Sequence, residues 1–172
     1  MIHRLAIGAA LALTITAAPA CWAKPAPKVF TGADLSTLAT PIDRGCIVSE
    51  AAKTATPAEK ITSCTAALDD LGKLRTKAKV PADRAGIDYL SATYELVRAG
   101  AYLGIDGVRS RRVCVSAEKA YGLIAPLDAG LFDAEMAESL ISSRQAMSRT
   151  AAVCRGEFGV PKGAPALLPD KG

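Results

Sequence analysis

The sequence predicts an all-α protein of about five helices arranged as antiparallel hairpins, forming a small bundle or a short helical-repeat array with two disulfides. Apolar residues recur at intervals of three and four along most of the chain, which is the period of an α-helix. Alternating β-branched runs bounded by Asn-Gly or similar turns, which would indicate strands, do not occur. Four cysteines lie on or near the helical segments: Cys46, Cys64, Cys114 and Cys154.

Residues 1–23 have the layout of a secretory signal peptide. Arg4 precedes an apolar run from Leu5 to Ala18, which is shorter than the roughly 20 residues that a membrane-spanning helix needs. Small residues follow this run and offer two cleavage positions. Cleavage after Ala23, which we favour, discards Cys21. Cleavage after Ala20 would leave Cys21 as the N-terminus, where bacterial lipoproteins carry their lipid.

Two segments without helical periodicity flank the predicted helical domain. Residues 24–40 are rich in proline and polar side chains, so we expect an extended linker there. Residues 159–172 have the sequence GVPKGAPALLPDKG and are expected to form a flexible tail. Residues 41–158 are therefore expected to form a single helical domain.

The first predicted hairpin joins two helices through a short turn. A helix over residues 42–53 carries Cys46, and the segment TPAE at residues 56–59 then combines a capping box with a proline at the first helical position. Cys64 falls on the apolar stripe of this second helix. If the two helices are antiparallel, Cys46 lies nearly opposite Cys64.

The third predicted helix follows a basic segment. The sequence KLRTKAK, residues 73–79, is interpreted as a solvated linker or helix start, and Pro81 then opens the helix. Gly100 and the Asp106-Gly107 pair interrupt it. Its apolar stripe consists of Ile87, Leu90, Tyr94, Val97 and Ala101.

The last two predicted helices form a second hairpin around the turn PLDAGLF. The fourth helix carries a stripe from Val113 to Ile124 and stops before Pro126. The fifth begins near Asp133 and ends at Gly156, as expected for a C-terminal glycine. Its almost heptad stripe consists of Met136, Leu140, Ser143, Met147, Ala151 and Cys154.

The even number of cysteines in the predicted mature chain indicates two disulfides in an oxidising compartment. Four cysteines allow three pairings, and sequential pairing, Cys46–Cys64 and Cys114–Cys154, agrees with the two hairpins. A zinc site is not expected, because no two cysteines are two to four residues apart. We therefore expect a periplasmic or secreted protein, or alternatively a lipoprotein anchored through Cys21.

Part of the helical region resembles a known repeat family. PAEKITSCTAAL, followed after a linker by ADRAGIDYLSATYELVRAGAYLGIDGVR, looks like the tetratricopeptide pattern of many bacterial proteins. The resemblance covers about residues 57–109 and suggests tetratricopeptide-like helical packing. The matching positions are Ala67, Tyr94, Gly100 and Tyr102.

The residue inventory excludes several chemistries. The only histidine, His3, leaves with the signal peptide, so a Ser-His-Asp triad, a Cys-His pair and an imidazole metal ligand are excluded. The net charge of +4 does not suggest nucleic-acid binding. Ser116 and Lys119 match the S-x-x-K signature of penicillin-recognising enzymes, but no S-D-N or K-T-G follows. We expect neither an enzyme nor a cofactor or metal site.

The candidate binding residues are aromatic and basic. Tyr94 belongs to the core stripe of its helix, whereas Tyr89 and Tyr102 lie off it and are candidates for a groove. The run RSRR contributes Arg109, Arg111 and Arg112, which most simply begin a helix and alternatively contact anionic lipid headgroups or an acidic partner.

These observations predict an exported, non-enzymatic helical protein that acts as an interaction module in the bacterial cell envelope. Its expected partner is another envelope protein, and membrane attachment is expected only if Cys21 is lipidated. One alternative is a periplasmic inhibitor or immunity-type protein. Another is a carrier of small apolar ligands, and a Ser-Lys hydrolase is the least favoured. The carrier alternative predicts a cavity lined by Leu90, Tyr94, Met136, Leu140 and Met147.

Overall fold

The computed structural model describes residues 28–47 and 49–169, so the predicted signal peptide and Cys21 lie outside the described residues. Within these ranges the chain forms α-helices, one 3₁₀ turn at Ala129–Leu131 and no named strand, which confirms the all-α class. The helices are α1 Gly32–Ala39, α2 Glu50–Thr54, α3 Pro57–Lys77, α4 Pro81–Asp106, α5 Arg111–Ile124 and α6 Ala134–Phe158. None of the described helices combines the length and apolar character that a bilayer span requires.

Successive long helices pack as antiparallel pairs. Near the α3–α4 turn, Arg75 of α3 pairs with Asp88 of α4, whereas further from the turn Arg98 of α4 donates to Thr65 of α3 over 3.2 Å. The same pattern joins α5 and α6, because Arg144 donates to the carbonyl of Ile124 near their connection. The predicted hairpin arrangement is therefore confirmed.

Two hydrophobic clusters share helix α4. One cluster lies between α3, α4 and the loop before α2, and contains Cys46, Cys64, Leu71 and Tyr94. The other, which we call the second cluster, lies between α4, α5 and α6. Its larger members are Phe30, Tyr89, Tyr121, Ile124, Phe132, Met136, Leu140 and Met147.

Both predicted disulfides are present with sequential pairing. Cys46 and Cys64 are bonded with their Cα atoms 4.9 Å apart, and Cys114 and Cys154 with theirs 5.3 Å apart. Cys46–Cys64 fastens the loop before α2 to α3, and Cys114–Cys154 fastens α5 to α6. The first bond lies within the cluster between α3 and α4, whereas Cys114 and Cys154 form a small separate cluster with Ala117.

The expectation of an extended linker over residues 24–40 is wrong from Gly32 onward, because α1 occupies Gly32–Ala39. Thr31 caps this helix, and its hydroxyl and Asp34 form a reciprocal capping box. Leu35 and Leu38 pack against both clusters. A helix of eight residues is too short to show a clear apolar period, which explains why periodicity did not reveal it.

The predicted helix over residues 42–53 is also wrong in its first half, since only Glu50–Thr54 is helical. The buried carboxylate of Asp43 accepts hydrogen bonds from the backbone N–H groups of Ile47, at 2.7 Å, and Ser49, at 2.8 Å. Gly45 adopts the left-handed region, with φ of 103°. An aspartate that binds nearby backbone donors competes with helix formation, so the chain turns here.

Two predicted interruptions do not occur. The basic segment at residues 73–79 mostly continues α3, which ends at Lys77, and α4 runs through Gly100 to Asp106. Gly100 is solvent-exposed and no side chain crowds it, so it costs only its low helix propensity. Tertiary contacts along α4 compensate for this cost.

The expectation of a free tail also differs from the structure over residues 159–169. This segment has no helix, but it lies against α5 and α6. The hydroxyl of Tyr121 donates to the carbonyl of Ala166, Arg155 donates to the carbonyl of Pro165, and the N–H of Leu168 donates to Ser148. The tail thereby extends the cover over the second cluster.

Candidate functional site

An open groove with a volume of about 610 Å³ lies between α1, α3 and α4. We call it the α1–α3–α4 groove. Its apolar side chains include Leu38, Ile42, Leu74 and Ile87, and Leu74 is 36% exposed. It is lined by Phe30, Asp34, Thr37, Leu38, Pro41, Ile42, Asp70, Lys73, Leu74, Lys77, Asp83 and Ile87.

Charged side chains of both signs surround this apolar floor. Asp70 accepts hydrogen bonds from Arg44 at 2.8 Å and Lys73 at 2.9 Å, and the Lys73 contact lowers the pKa of the Asp70 carboxyl. Asp83 of α4 pairs with Lys28, which lies in the N-terminal segment before α1. A surface with an apolar centre and a polar rim has the composition of a protein-binding site.

A second surface, which we call the basic face, lies where α4 meets the start of α5. A cavity of about 380 Å³ is lined there by Arg98, Tyr102, Arg111, Arg112, Val115, Ser116 and Lys119. The Arg112 guanidinium lies 4.7 Å from the centre of the Tyr102 ring and also pairs with Asp106. The structure thus brings together three of the predicted binding residues, Tyr102, Arg111 and Arg112.

The other two predicted binding residues lie elsewhere. Tyr89 is buried in the second cluster, where its hydroxyl is 2.8 Å from the Ser139 hydroxyl and its ring centre is 6.0 Å from that of Phe132. Its prediction as a groove residue is wrong, because α4 packs on two sides and buries residues off its main stripe. Arg109 is exposed in the α4–α5 turn and does not line the cavity of the basic face.

A buried ion pair supports the floor of the basic face. Arg98 donates to both carboxylate oxygens of Glu95, at 2.8 and 2.7 Å, and their side chains are only 13% and 8% exposed. Arg98 also lies 3.4 Å from the hydroxyl of Ser116, which is 1% exposed. This serine is thus enclosed beside a guanidinium, whereas Lys119 is exposed on the surface.

The described residues contain no group of three or more His, Cys, Asp or Glu side chains that could hold a metal ion. The cysteines at positions 46, 64, 114 and 154 are all consumed by disulfides. The residues of the α1–α3–α4 groove were missed by sequence reasoning. They come from three helices, and the only local signal was the exposed apolar side chain of Leu74 within a basic segment.

Comparisons of the chain with protein-family models, with curated proteins and with solved structures find no significant match. Helices α3 and α4 together occupy most of the region that resembles tetratricopeptide repeats. That resemblance stays a prediction.

Proposed function

We propose that this chain is an exported, non-enzymatic protein-interaction module of the bacterial cell envelope. The α1–α3–α4 groove carries the proposal, because it places an open apolar floor inside a rim of paired charges. Such a surface fits a helix or an extended segment of a partner protein. The expected partner is another protein of the envelope.

Rigidity supports this function. The Cys46–Cys64 bond fastens Ile42 and its loop to α3, and the Asp43 carboxylate organises the same loop. The wall of the groove is therefore formed before a partner arrives. A preorganised surface loses less conformational entropy on binding than a mobile one does.

The placement in the envelope rests on the cysteines and the N-terminal segment. Disulfides are rare in reducing compartments, and both predicted bonds have bonding geometry here. The predicted signal peptide supplies the route of export. Cleavage after Ala23 would release the protein into the periplasm or medium, whereas retention of Cys21 would allow an anchor.

Two observations support a protein without catalytic activity: the types of residue that the chain contains, and the surroundings of the Ser116 hydroxyl. The mature chain is expected to contain no histidine. Ser116 borders the cavity of the basic face, but it is only 1% exposed and its hydroxyl lies beside the Arg98 guanidinium. A serine nucleophile needs access to substrate and a nearby base. The carrier alternative is not favoured either, because Leu90 and Tyr94 belong to one cluster and the three residues from α6 to the other.

Photo-cross-linking in the native envelope tests the proposal. A benzoylphenylalanine in place of Thr37, on the groove, should give a discrete adduct with one partner protein, whereas the same group in place of the exposed Ala152 of α6 should not. Leu74→Asp should abolish the adduct because it places a charge on the apolar floor. The matched variant Ile141→Asp, at a site 59% exposed outside the groove, should leave it unchanged. Failure of the Thr37 probe to give an adduct, or equal adducts from both positions, would contradict the proposal.

A further inference from the structure

We propose that the turn between α4 and α5 docks onto an anionic lipid surface. This tip consists of residues 103–112 together with Val153 of α6. It combines exposed aliphatic side chains with arginines at one end of the molecule. The inference goes beyond the proposed function, because it concerns a different surface and a different kind of partner.

Four exposed aliphatic side chains form the apolar part of the tip, and three of them border the same cavity. Leu103 is 41% exposed, Ile105 50%, Val108 75% and Val153 75%. Leu103, Val108 and Val153 line one shallow cavity of about 320 Å³, so residues from two helices and the turn form a single patch. Burial of these side chains in the interfacial region of a bilayer would be favourable.

The cationic part of the tip lies directly beside this patch. Arg109 and Arg111 are exposed, and neither forms an ion pair with an acidic residue in the part of the chain that the structure describes. The one acidic side chain of the turn, Asp106, is held by Arg112 and Ser110. The unpaired guanidinium groups are therefore available for lipid phosphates, which arginine binds through two donors.

The shape of the tip favours a membrane over an acidic protein. Val108, which is 75% exposed, lies in the turn between the end of α4 and the start of α5. A protein interface normally centres on a packed pocket with an aromatic or arginine anchor, whereas a bilayer accepts aliphatic side chains without shape complementarity. Tyr102, the nearby aromatic residue, is half-buried and covered by Arg112.

Membrane docking through the tip leaves the α1–α3–α4 groove accessible. The groove lies against the first turns of α4, and the tip begins at Leu103, in its last turn. Because a helix rises about 1.5 Å per residue, the 16 residues from Ile87 of the groove to Leu103 of the tip separate them by roughly 24 Å. This contact does not depend on Cys21, so it differs from attachment by lipidation.

Co-sedimentation of the exported and processed chain with lipid vesicles tests the proposal. The protein should sediment with phosphatidylglycerol vesicles at low salt and not with phosphatidylcholine vesicles, and added salt should release it. The double variant Arg109→Gln/Arg111→Gln should weaken partitioning by about fivefold for each arginine. Ile105→Ser/Val108→Ser should weaken it by about tenfold through loss of apolar burial.

Matched variants at the opposite end of the bundle provide the controls. Lys77→Gln/Lys79→Gln removes the same charge, and Leu74→Ser/Ile141→Ser removes similar exposed apolar surface. Both should partition like the unchanged chain, and all variants should keep its thermal unfolding midpoint. Absence of sedimentation, or equal effects of tip and control variants, would overturn the proposal. Binding to soluble polyglutamate without binding to vesicles would also overturn it and would assign the tip to an acidic protein.

Discussion

Gly86 and Phe30 form a close contact between the N-terminal segment and α4. A Cβ atom on Gly86 would overlap the Phe30 ring, so the absence of a side chain in α4 makes room for the aromatic residue. The Phe30 ring also meets Phe132 edge to face, with centres 6.2 Å apart. One glycine thus allows the segment before α1 to enter the second cluster.

Gly86→Ala should destabilise the protein even though alanine favours a helix. The displaced Phe30 ring should cost about 1–3 kcal/mol of unfolding free energy. The control is Gly100→Ala in the same helix, where no neighbouring atom interferes and where a gain of up to about 1 kcal/mol is expected. Urea denaturation of both variants checks the prediction, and equal stabilisation by the two alanines would contradict it.

Tyr94 should make stability depend on alkaline pH. Its hydroxyl is buried and makes no regular hydrogen bond to a described residue. Burial, and then the nearby Asp43 carboxylate, raise the pKa of Tyr94. Because the folded-state pKa lies above the unfolded value of about 10, this contribution is complete below pH 10 and is lost as the pH rises.

The test compares Tyr94→Phe with the unchanged chain between pH 8 and pH 11. The unfolding free energy should fall less steeply with pH in Tyr94→Phe. Tyr102→Phe, which changes a half-buried tyrosine, serves as the control and should retain the original slope. Identical slopes in all three proteins would show that Tyr94 has no such role.

At the scale of elements, each disulfide fixes one pair of chain segments. The Cys46–Cys64 bond closes a separation of 18 residues, and Cys114–Cys154 closes one of 40. A bond that closes a longer loop removes more entropy from the unfolded chain. The two bonds therefore contribute unequally, although both are buried in the structure.

Replacement of each pair by alanine should expose this difference. The variant Cys46→Ala/Cys64→Ala should lose about 3 kcal/mol of unfolding free energy, and Cys114→Ala/Cys154→Ala about 4 kcal/mol. Denaturation without reductant measures both values. Peptide mapping that joins Cys46 to Cys114 or Cys154 would refute the pairing itself.

Local signals made several elements predictable. The Thr56 hydroxyl accepts a hydrogen bond from the N–H of Glu59, and the Glu59 carboxylate accepts one from the N–H of Thr56. The sequence pattern predicted this capping box. The prolines at the starts of α3 and α4 gave equally clear signals. The end of α3 was not predictable, because its last six residues are all exposed and include a single apolar side chain, Leu74, so no apolar period marks where the helix stops.

The candidate site was predictable only where it is local. Tyr102, Arg111 and Arg112 flank a single turn, so their proximity follows from the α4–α5 hairpin. The α1–α3–α4 groove depends on how α1 packs against two other helices. Such packing is a long-range outcome that neither propensity nor periodicity encodes.

At the scale of the whole molecule, α4 is the shared wall of two clusters, and the C-terminal tail closes one of them. The tail contacts α5 through Tyr121, and α6 through Ser148 and Arg155. Arg155 also donates to both carboxylate oxygens of Glu118, at 2.8 and 2.9 Å, and this buried pair lies beneath the tail. The tail therefore belongs to the folded domain.

A double-mutant cycle tests the contribution of the tail. Tyr121→Phe should cost about 1 kcal/mol in the full chain, because it removes the hydrogen bond to the Ala166 carbonyl. In a chain that ends at Val160 the same substitution should cost nothing further, since the acceptor is gone. An undiminished cost in the shortened chain would show that the tail makes no such bond in solution.

The backbone pairing of Phe30 with residues 131–133 links positions roughly one hundred residues apart, whereas the helical hairpins rely on nearby partners. Contacts of such high sequence separation tend to form late in folding, after the α5–α6 connection exists to receive the segment. Substitutions at Phe30 should then accelerate unfolding and leave the folding rate almost unchanged. The N-terminal segment would in that case govern how long the folded protein lasts, and the hairpins how fast it forms.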